Sequence, residues 1–541
     1  MLQNIFDKLW MLNLISNVEE ISAFVFEPAC RWIFWERLDR VSQCSVRLAC
    51  RDFAQRSTTL FTRAHVRSAA QLSDVVEWCS LEDLLICPGT SDIADMTKYL
   101  QSLEVDYYTA PLVHLKNLTL QGQALTLWEL PFSIPNLLER LHQLNSLELA
   151  YVILQELNPV APSKTSCSSL TRLTFKHVTC GPDIFQALAN LRTLTHLELT
   201  SCSLHLEDTS IDLASALSSL NRLTALSLQH ISCRSHSSST TSPAGQGLQP
   251  QPYDLCMSKT FLRAVLPNFI YLSVLELPSY HDFSNEDAAA LSNATTSLCS
   301  LTIGSLNLNP DWRPVKGKPL HVGLPNLKHL CLESGAAAKG VPVQQLWFLL
   351  GSTPQLESIS PSPFPLQTRC SELDQAAVIS NLLDLLQGPL YACSQALSII
   401  GMMGFSTYDA HYMFRTLAPS VRHVTSFHLT EVSIDCEATM AMVLAMPHMQ
   451  DLRLHSCDIK GGALDSLHVL AKLSTLTLSS CQGTALGYAA SLEFFGQGVE
   501  RPLRLEVNRE TLKSMRADAS SMARVLKQKC VNVEFEVVQN H

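Results

Sequence analysis

Apolar residues recur along this chain in one frame, L-x-x-L-x-L-x-x-C-x-L. It is fullest from Leu194 to Leu204, where Leu194, Leu197, Leu199 and Cys202 hold the fixed places. The same spacing returns at Met449, Leu452, Leu454 and Cys457 and at Leu473, Leu476, Leu478 and Cys481; looser versions run through Leu173 and Phe175 and through Leu226 and Leu228. Side chains alternate across a strand, so the fourth and sixth places of each frame share one face. Each frame therefore predicts a short half-buried strand, and a frame that returns this often is a repeat.

Successive frames begin at Leu81, Leu115, Leu144, Leu170, Leu194, Leu223, Leu272, Leu298, Leu327, Leu356, Ser394, Val424, Met449, Leu473, Pro502 and Cys530. Most steps are 24 to 30 residues, enough for a strand and a helix in each turn. Pro182-Asp183 opens a segment with Phe185, Leu188 and Leu191 at helical spacing, and Leu464, Leu467 and Leu470 are spaced alike. The expected unit is strand, loop, helix, loop, with irregular strands where the frame weakens at Leu356 and Ser394. Arg234 to Pro252, rich in Ser, Thr, Pro, Gly and Gln, is expected to loop out, as is Pro310 to Pro325.

The frame resembles that of the leucine-rich-repeat family, in the variety whose strand ends in cysteine. The resemblance implies an α/β solenoid over residues 61–541: a curved parallel sheet inside, helices outside, and an insertion at about 234–252. Residues 1–60 lack the frame and read as helical. Within them Leu38, Asp39, Leu48, Cys50, Arg51 and Phe53 match the second half of an F-box at its own spacing, with Phe34 and Trp35 where that family has an Ile-Phe pair. The family's leading L-P-x-E falls on Phe26, Glu27, Pro28 and Ala29, with the proline one place late and the acid missing. This resemblance implies that Phe34, Trp35, Leu38, Leu48, Cys50 and Phe53 define a module docking a Skp-type adaptor of a cullin ubiquitin ligase. The other reading of residues 1–60 is a helical cap that shields the first repeat.

Composition narrows the partners. A net charge of -10 over 541 residues argues against nucleic acid or an anionic membrane, which reward clustered Lys and Arg. No apolar run of about 20 residues predicts a membrane span, and Met1 to Val18, broken by Asp7 and Lys8, reads as an amphipathic helix rather than a leader. Of the 18 cysteines, Cys180, Cys202, Cys233, Cys457 and Cys481 follow the repeat, which suits reduced, inward-facing thiols and a cytoplasmic or nuclear setting. No C-x-x-C pair suggests zinc.

No catalytic pattern emerges: the P-loop, H-E-x-x-H and G-x-S-x-G signatures are absent, and the histidines are scattered. Neither an enzyme, a metal site nor a cofactor is expected. Function is expected instead on the concave face, from residues between the frame leucines. Glu148, Arg172, Lys176, His196, Glu198, Arg453 and His455 are the candidates for holding a protein substrate. Glu148, Arg172 and Glu198 equally suit a solvated cross-strand charge ladder. The function so read is substrate recognition for an SCF-type ligase; the alternative is an intracellular interaction scaffold with no ubiquitin role.

Overall fold

The computed structural model describes residues 62–538, leaving aside chiefly 77–80, 106–111, 155–168, 207–209, 236–252, 255–260, 309–323, 334–339, 369–374, 402–405, 484–501 and most of 515–532. The F-box-like positions Phe34, Trp35, Leu38, Leu48, Cys50 and Phe53 lie outside the described residues. The chain divides into two units, residues 1–223 with 230–255, and residues 224–229 with 256–541.

In the first unit the face strands are β1 (Arg63–Val66), β2 (Asp83–Ile86), β3 (Asn117–Gln121), β4 (Ser146–Ala150), β5 (Arg172–Lys176) and β6 (His196–Thr200), parallel and in sequence order. Pairing aligns the frame: Leu118, Leu147, Leu173 and Leu197 occupy one row and Leu120, Leu149, Phe175 and Leu199 the next, all 5% exposed or less. Each such leucine is worth about 1.5–3 kcal/mol of burial, and each contacts its counterpart in the next turn as well as its own. β1 precedes the first predicted frame, because Ala64 and Val66 fill the leucine places there.

The expected unit of strand, loop, helix and loop is incomplete. A second, short strand follows the face strand, and Trp128–Leu130, Val152–Leu154, Thr179–Cys180, Ser203–Leu206 and Ser232–Ser235 pair in parallel as a second sheet. Arg234, expected in the loop, is therefore strand. Tyr253–Asp254 returns antiparallel to it.

Between the two strands the chain turns on the eighth residue of the frame. Tyr151, His177, Ser201 and His230 all have φ between 50° and 56°, left-handed backbone that disfavours any residue with a Cβ. The turn sends the ninth residue back inside: Val152, Val178, Cys202 and Ile231 are at most 2% exposed. Cys180 and Cys233, which resemble Cys202 in sequence, instead stand two places further on, in the second strands.

The second unit carries β7 (Ala225–Gln229), β8 (Val274–Glu276), β9 (Ser300–Ile303), β10 (His329–Leu332) and β11 (Ser358–Ser360) in one parallel run. A further run follows: β12 (Phe364–Gln367), β13 (Ala396–Ile400), β14 (Ser426–Thr430), β15 (Asp451–His455), β16 (Thr475–Ser479), β17 (Leu503–Asn508) and β18 (Val533–Val538). The weak frame at Leu356 does give an irregular strand, three residues of which none is buried. The one at Ser394 does not: β13 is a full strand. Ser394, standing in a leucine's place, is 4% exposed and satisfied by the Tyr391 carbonyl at 3.1 Å and His423 Nε2 at 2.7 Å.

Helices cover the other side, among them α1 (Asp183–Ala189), α2 (Asn285–Ala294), α3 (Thr407–Leu417) and α4 (Cys436–Ala445). The helix expected around Leu464, Leu467 and Leu470 is only a 3-10 turn, Asp465–Val469, which buries Leu467 between flanking Leu464 and Leu470. Glu431, Ser456 and Ser480 repeat the left-handed corner.

At the ninth place Cys457 Sγ donates to the Leu429 carbonyl of the preceding turn at 3.3 Å and to His455 O at 3.4 Å; Cys481 and Cys202 do the same. Burial pushes the Cys202 thiol up to about 11, and hydrogen bonding to Cys481 together with burial raises Cys457, so both keep the proton they donate.

In thermal denaturation, Leu452→Ala should cost about 2–5 kcal/mol as a core truncation. Ser456→Val should cost about 1–3 kcal/mol through corner strain, while Ser456→Gly should cost nothing measurable.

Candidate functional site

Residues between the frame leucines point away from the helices and line up from strand to strand. In the first unit this places Ser146, Arg172 and His196 in one row, Glu148, Thr174 and Glu198 in the next, and Ala150, Lys176 and Thr200 in a third. Five of the seven residues singled out on this face, Glu148, Arg172, Lys176, His196 and Glu198, thus fall on three adjacent strands.

They do not act as one cluster. Lys176 reaches diagonally across the nearly buried Thr174 to Glu148 Oε1 at 3.0 Å, with Glu198 Oε1 at 3.9 Å on its other side. Thr200 Oγ1 adds a bond to Glu198 at 3.4 Å. The hydrogen bond Lys176 donates to Glu148, outweighing some desolvation, raises the Lys176 pKa, and both carboxylates hold its charge in place. All three side chains are more than a third exposed, so this triplet contributes little to stability. Its centre is Lys176, whereas the spacing had suggested Arg172. Arg172 stands in the opposite row, exposed and without an ion-pair or hydrogen-bond partner for its side chain among the described residues. Beside it His196, with Nδ1 2.8 Å from Thr195 Oγ1, has its pKa lowered by burial and then by the Arg172 charge, and is neutral at pH 7. At the rim, the corner residues Tyr151 and His177 stack nearly parallel, with ring centroids 4.5 Å apart.

Arg453 and His455 belong to the second unit, on β15. Here Asp451 is the centre: its Oδ2 accepts from Arg453 Nε at 3.0 Å and Ser426 Oγ at 3.1 Å, and lies 4.0 Å from His428 Nε2. Oδ1 of the same carboxylate is buried with no hydrogen-bond partner among the described residues. His455 stands in the outer row between Thr430 and Ser479, exposed. Two strands further along, Arg504 Nε meets Glu506 Oε1 at 3.1 Å and Glu536 Oε2 at 3.2 Å, and Thr477 Oγ1 bonds Glu506 at 3.0 Å. Sequence reading passed over this group because its frame begins on Pro502, although Leu503, Leu505 and Val507 alternate with Arg504 and Glu506 as a strand requires.

The hydroxyls of this face have a structural use. Thr171, Thr195, Ser273, Thr425 and Ser474 occupy the second place of the frame, and each donates to a main-chain carbonyl of the preceding turn at 2.9–3.3 Å. That carbonyl already accepts two backbone N–H groups, as Thr171 O does from Thr195 and His196. Among the described residues no group of three or more His, Cys, Asp or Glu side chains converges as a metal would need. No helix there is long and apolar enough to cross a membrane.

No protein-family model matches the chain, and no curated protein matches it in sequence. Among solved structures it is similar to an internalin from Listeria monocytogenes, at 14% identity over 81% of this chain and 87% of that one, with a TM-score of 0.24, too loose a superposition to bear on function.

His428, its pKa lowered first by burial and next by Arg453, resists protonation in the folded chain. The unfolded chain takes up that proton near its ordinary value of about 6.5, so His428 contributes stability above that pH and loses it as pH falls toward the folded value. Urea titrations from pH 7.5 to 5 should show a smaller loss of stability for His428→Gln than for the parent chain.

Proposed function

We propose that this chain is a protein-interaction platform whose ligand lies on the open face of the parallel strands. The observation that carries the reading is the arrangement of that face. Main-chain groups are consumed by neighbouring strands and Lys176 by its two carboxylates, yet Arg172 is exposed and unpaired among the described residues. An unpaired guanidinium on a rigid support is a ready contact for a carboxylate, in bidentate geometry, on a partner protein. The leucine-rich-repeat resemblance supports the same role.

The finer reading is that the platform selects substrates for an SCF-type cullin ubiquitin ligase. What favours it is the sequence of residues 34–53, with Phe34, Trp35, Leu38, Leu48, Cys50 and Phe53 at F-box spacing. On that reading a Skp-type adaptor binds the N-terminal module while cargo binds the face. The alternative keeps the platform and makes the N-terminal residues a cap only.

Affinity capture of the full chain from cells, with mass spectrometry, separates these. Arg172→Glu should lower cargo recovery at least tenfold, as losing a buried charge contact does, and leave the Skp-type adaptor in place. Leu48→Asp with Phe53→Asp should remove the adaptor and spare the cargo. If the parent chain captures cargo and no adaptor, the chain is a scaffold; if Arg172→Glu leaves every partner unchanged, the face is not the binding surface.

A further inference from the structure

A second surface lies on the helical side of the second unit, between α3 and α4. Helix α3 starts from a reciprocal cap, Ser406 Oγ accepting from Asp409 N at 3.3 Å and Asp409 Oδ2 accepting from Ser406 N at 2.9 Å. Helix α4 starts from Asp435, whose carboxylate accepts from Ala438 N at 2.9 Å. Both helix starts are therefore capped by side chains. The groove between the helices encloses about 560 Å³.

Its lining is unusual for an outer helix face. The inner side of α4 is already apolar and buried through Ala438, Met442, Val443 and Ala445. A solvated helix would be polar on the remaining face. Instead Met440, Ala441 and Leu444 line the groove, with Met440 38% and Leu444 67% exposed. The opposite wall is the stripe of His411 and Arg415 on α3 with its C-cap Ala418, at the i, i+4, i+7 spacing of one helix side.

Two charges mark the ends. Glu437 lies in the first turn of α4 and Arg415 in the last turn of α3. Both line the groove and are exposed, and neither has an ion-pair or hydrogen-bond partner for its side chain among the described residues. Helices of successive turns run the same way, so the acid lies toward the start of the groove and the base toward its far end.

We infer that this groove receives an amphipathic helix of a partner protein, lying antiparallel to α3 and α4. Its apolar stripe covers Met440, Ala441 and Leu444, an acid in its first turn meets Arg415, and a base in its last turn meets Glu437. The antiparallel sense is the one that agrees with the occupant's own dipole, which favours acid at its start and base at its end. Helix-in-groove docking uses the same i, i+3, i+4, i+7 anchors. The groove has a single arginine and an opposing glutamate, not the cationic cluster that an anionic lipid surface selects.

The test uses the full chain and two fluorescent synthetic helices of about 14 residues. Each has leucines along one side; one carries Glu in its first turn and Lys in its last, and the other has these charges exchanged. Fluorescence anisotropy should show saturable binding of the first peptide, weakened at least tenfold for the exchanged one. Leu444→Asp should abolish it, with the thermal transition of the chain unchanged because that side chain is exposed. Arg415→Glu with Glu437→Lys should reverse the preference between the peptides. Cys436, exposed on the groove wall, should be protected from alkylation by the first peptide, as read by peptide mapping. No saturation by either peptide, or equal binding of both to the parent chain, overturns the proposal. So does self-association of the chain that Leu444→Asp abolishes in light scattering, which would assign the face to a second copy. Leu444-dependent binding to anionic vesicles without either peptide overturns it in favour of a lipid surface.

Discussion

The best-formed repeats depend on a corner that the backbone resists. In seven of the described turns, at Tyr151, His177, Ser201 and His230 and again at Glu431, Ser456 and Ser480, a residue with a Cβ is held in the left-handed region. The conformation costs about a kcal/mol or more each time. It persists because the neighbours over-determine it. The corner N–H of Tyr151 bonds to Lys176 O at 2.8 Å, that of His177 to Thr200 O at 2.9 Å, and that of Ser456 to Ser479 O at 2.8 Å, each in the following turn. The next residue is then driven into the core, where valine, isoleucine or a hydrogen-bonded thiol awaits it. Where a glycine takes the corner place, it serves close approach instead: a Cβ on Gly122 would fall 2.1 Å from the Tyr151 carbonyl oxygen.

Much of this architecture was legible because burial and periodicity are the same fact. Leucines at the fourth and sixth places identified nearly every face strand and even its register, since a one-residue slip would turn the leucines out. What escaped had no apolar signature. The corner is a conformation, and Tyr, His, Ser and Glu share no chemistry that announces it. The second row of strands is short and begins at that corner, so its alternation is too brief to read. β1 hid behind Ala64 and Val66. At β13 the mistaken expectation came from judging Ser394 by its polarity, when His423 and the Tyr391 carbonyl supply what a leucine would have supplied by packing.

The polar face was legible in part, for a related reason. Alternation says which residues face outward but not which of them reach one another. Lys176 and Arg172 lie on the same strand, carry the same charge and stand equally diagonal to Glu148 and Glu198, yet only Lys176 has both carboxylates within 4 Å. The direction in which the two carboxylates lean along the strand, which the register leaves open, decides which cation is spent on the fold and which is left over. Likewise the serines and threonines at the second place of the frame are fastened to main-chain carbonyls. Binding capacity therefore has to be read after these internal debts are subtracted, and the small set that remains includes Arg172.

The strand Val533–Val538 is the last in its sheet, and its residues alternate between half-buried and exposed as far as Glu536. Its exposed positions are Glu534 and Glu536, with the Arg504 guanidinium drawn toward the second of them. A bare parallel edge would template further chains and lead to filaments. Carboxylates on every second residue set like charge against like in any identical strand that tried to add there. The same glutamates that look like an ordinary solvated surface thus act as a guard against lateral growth.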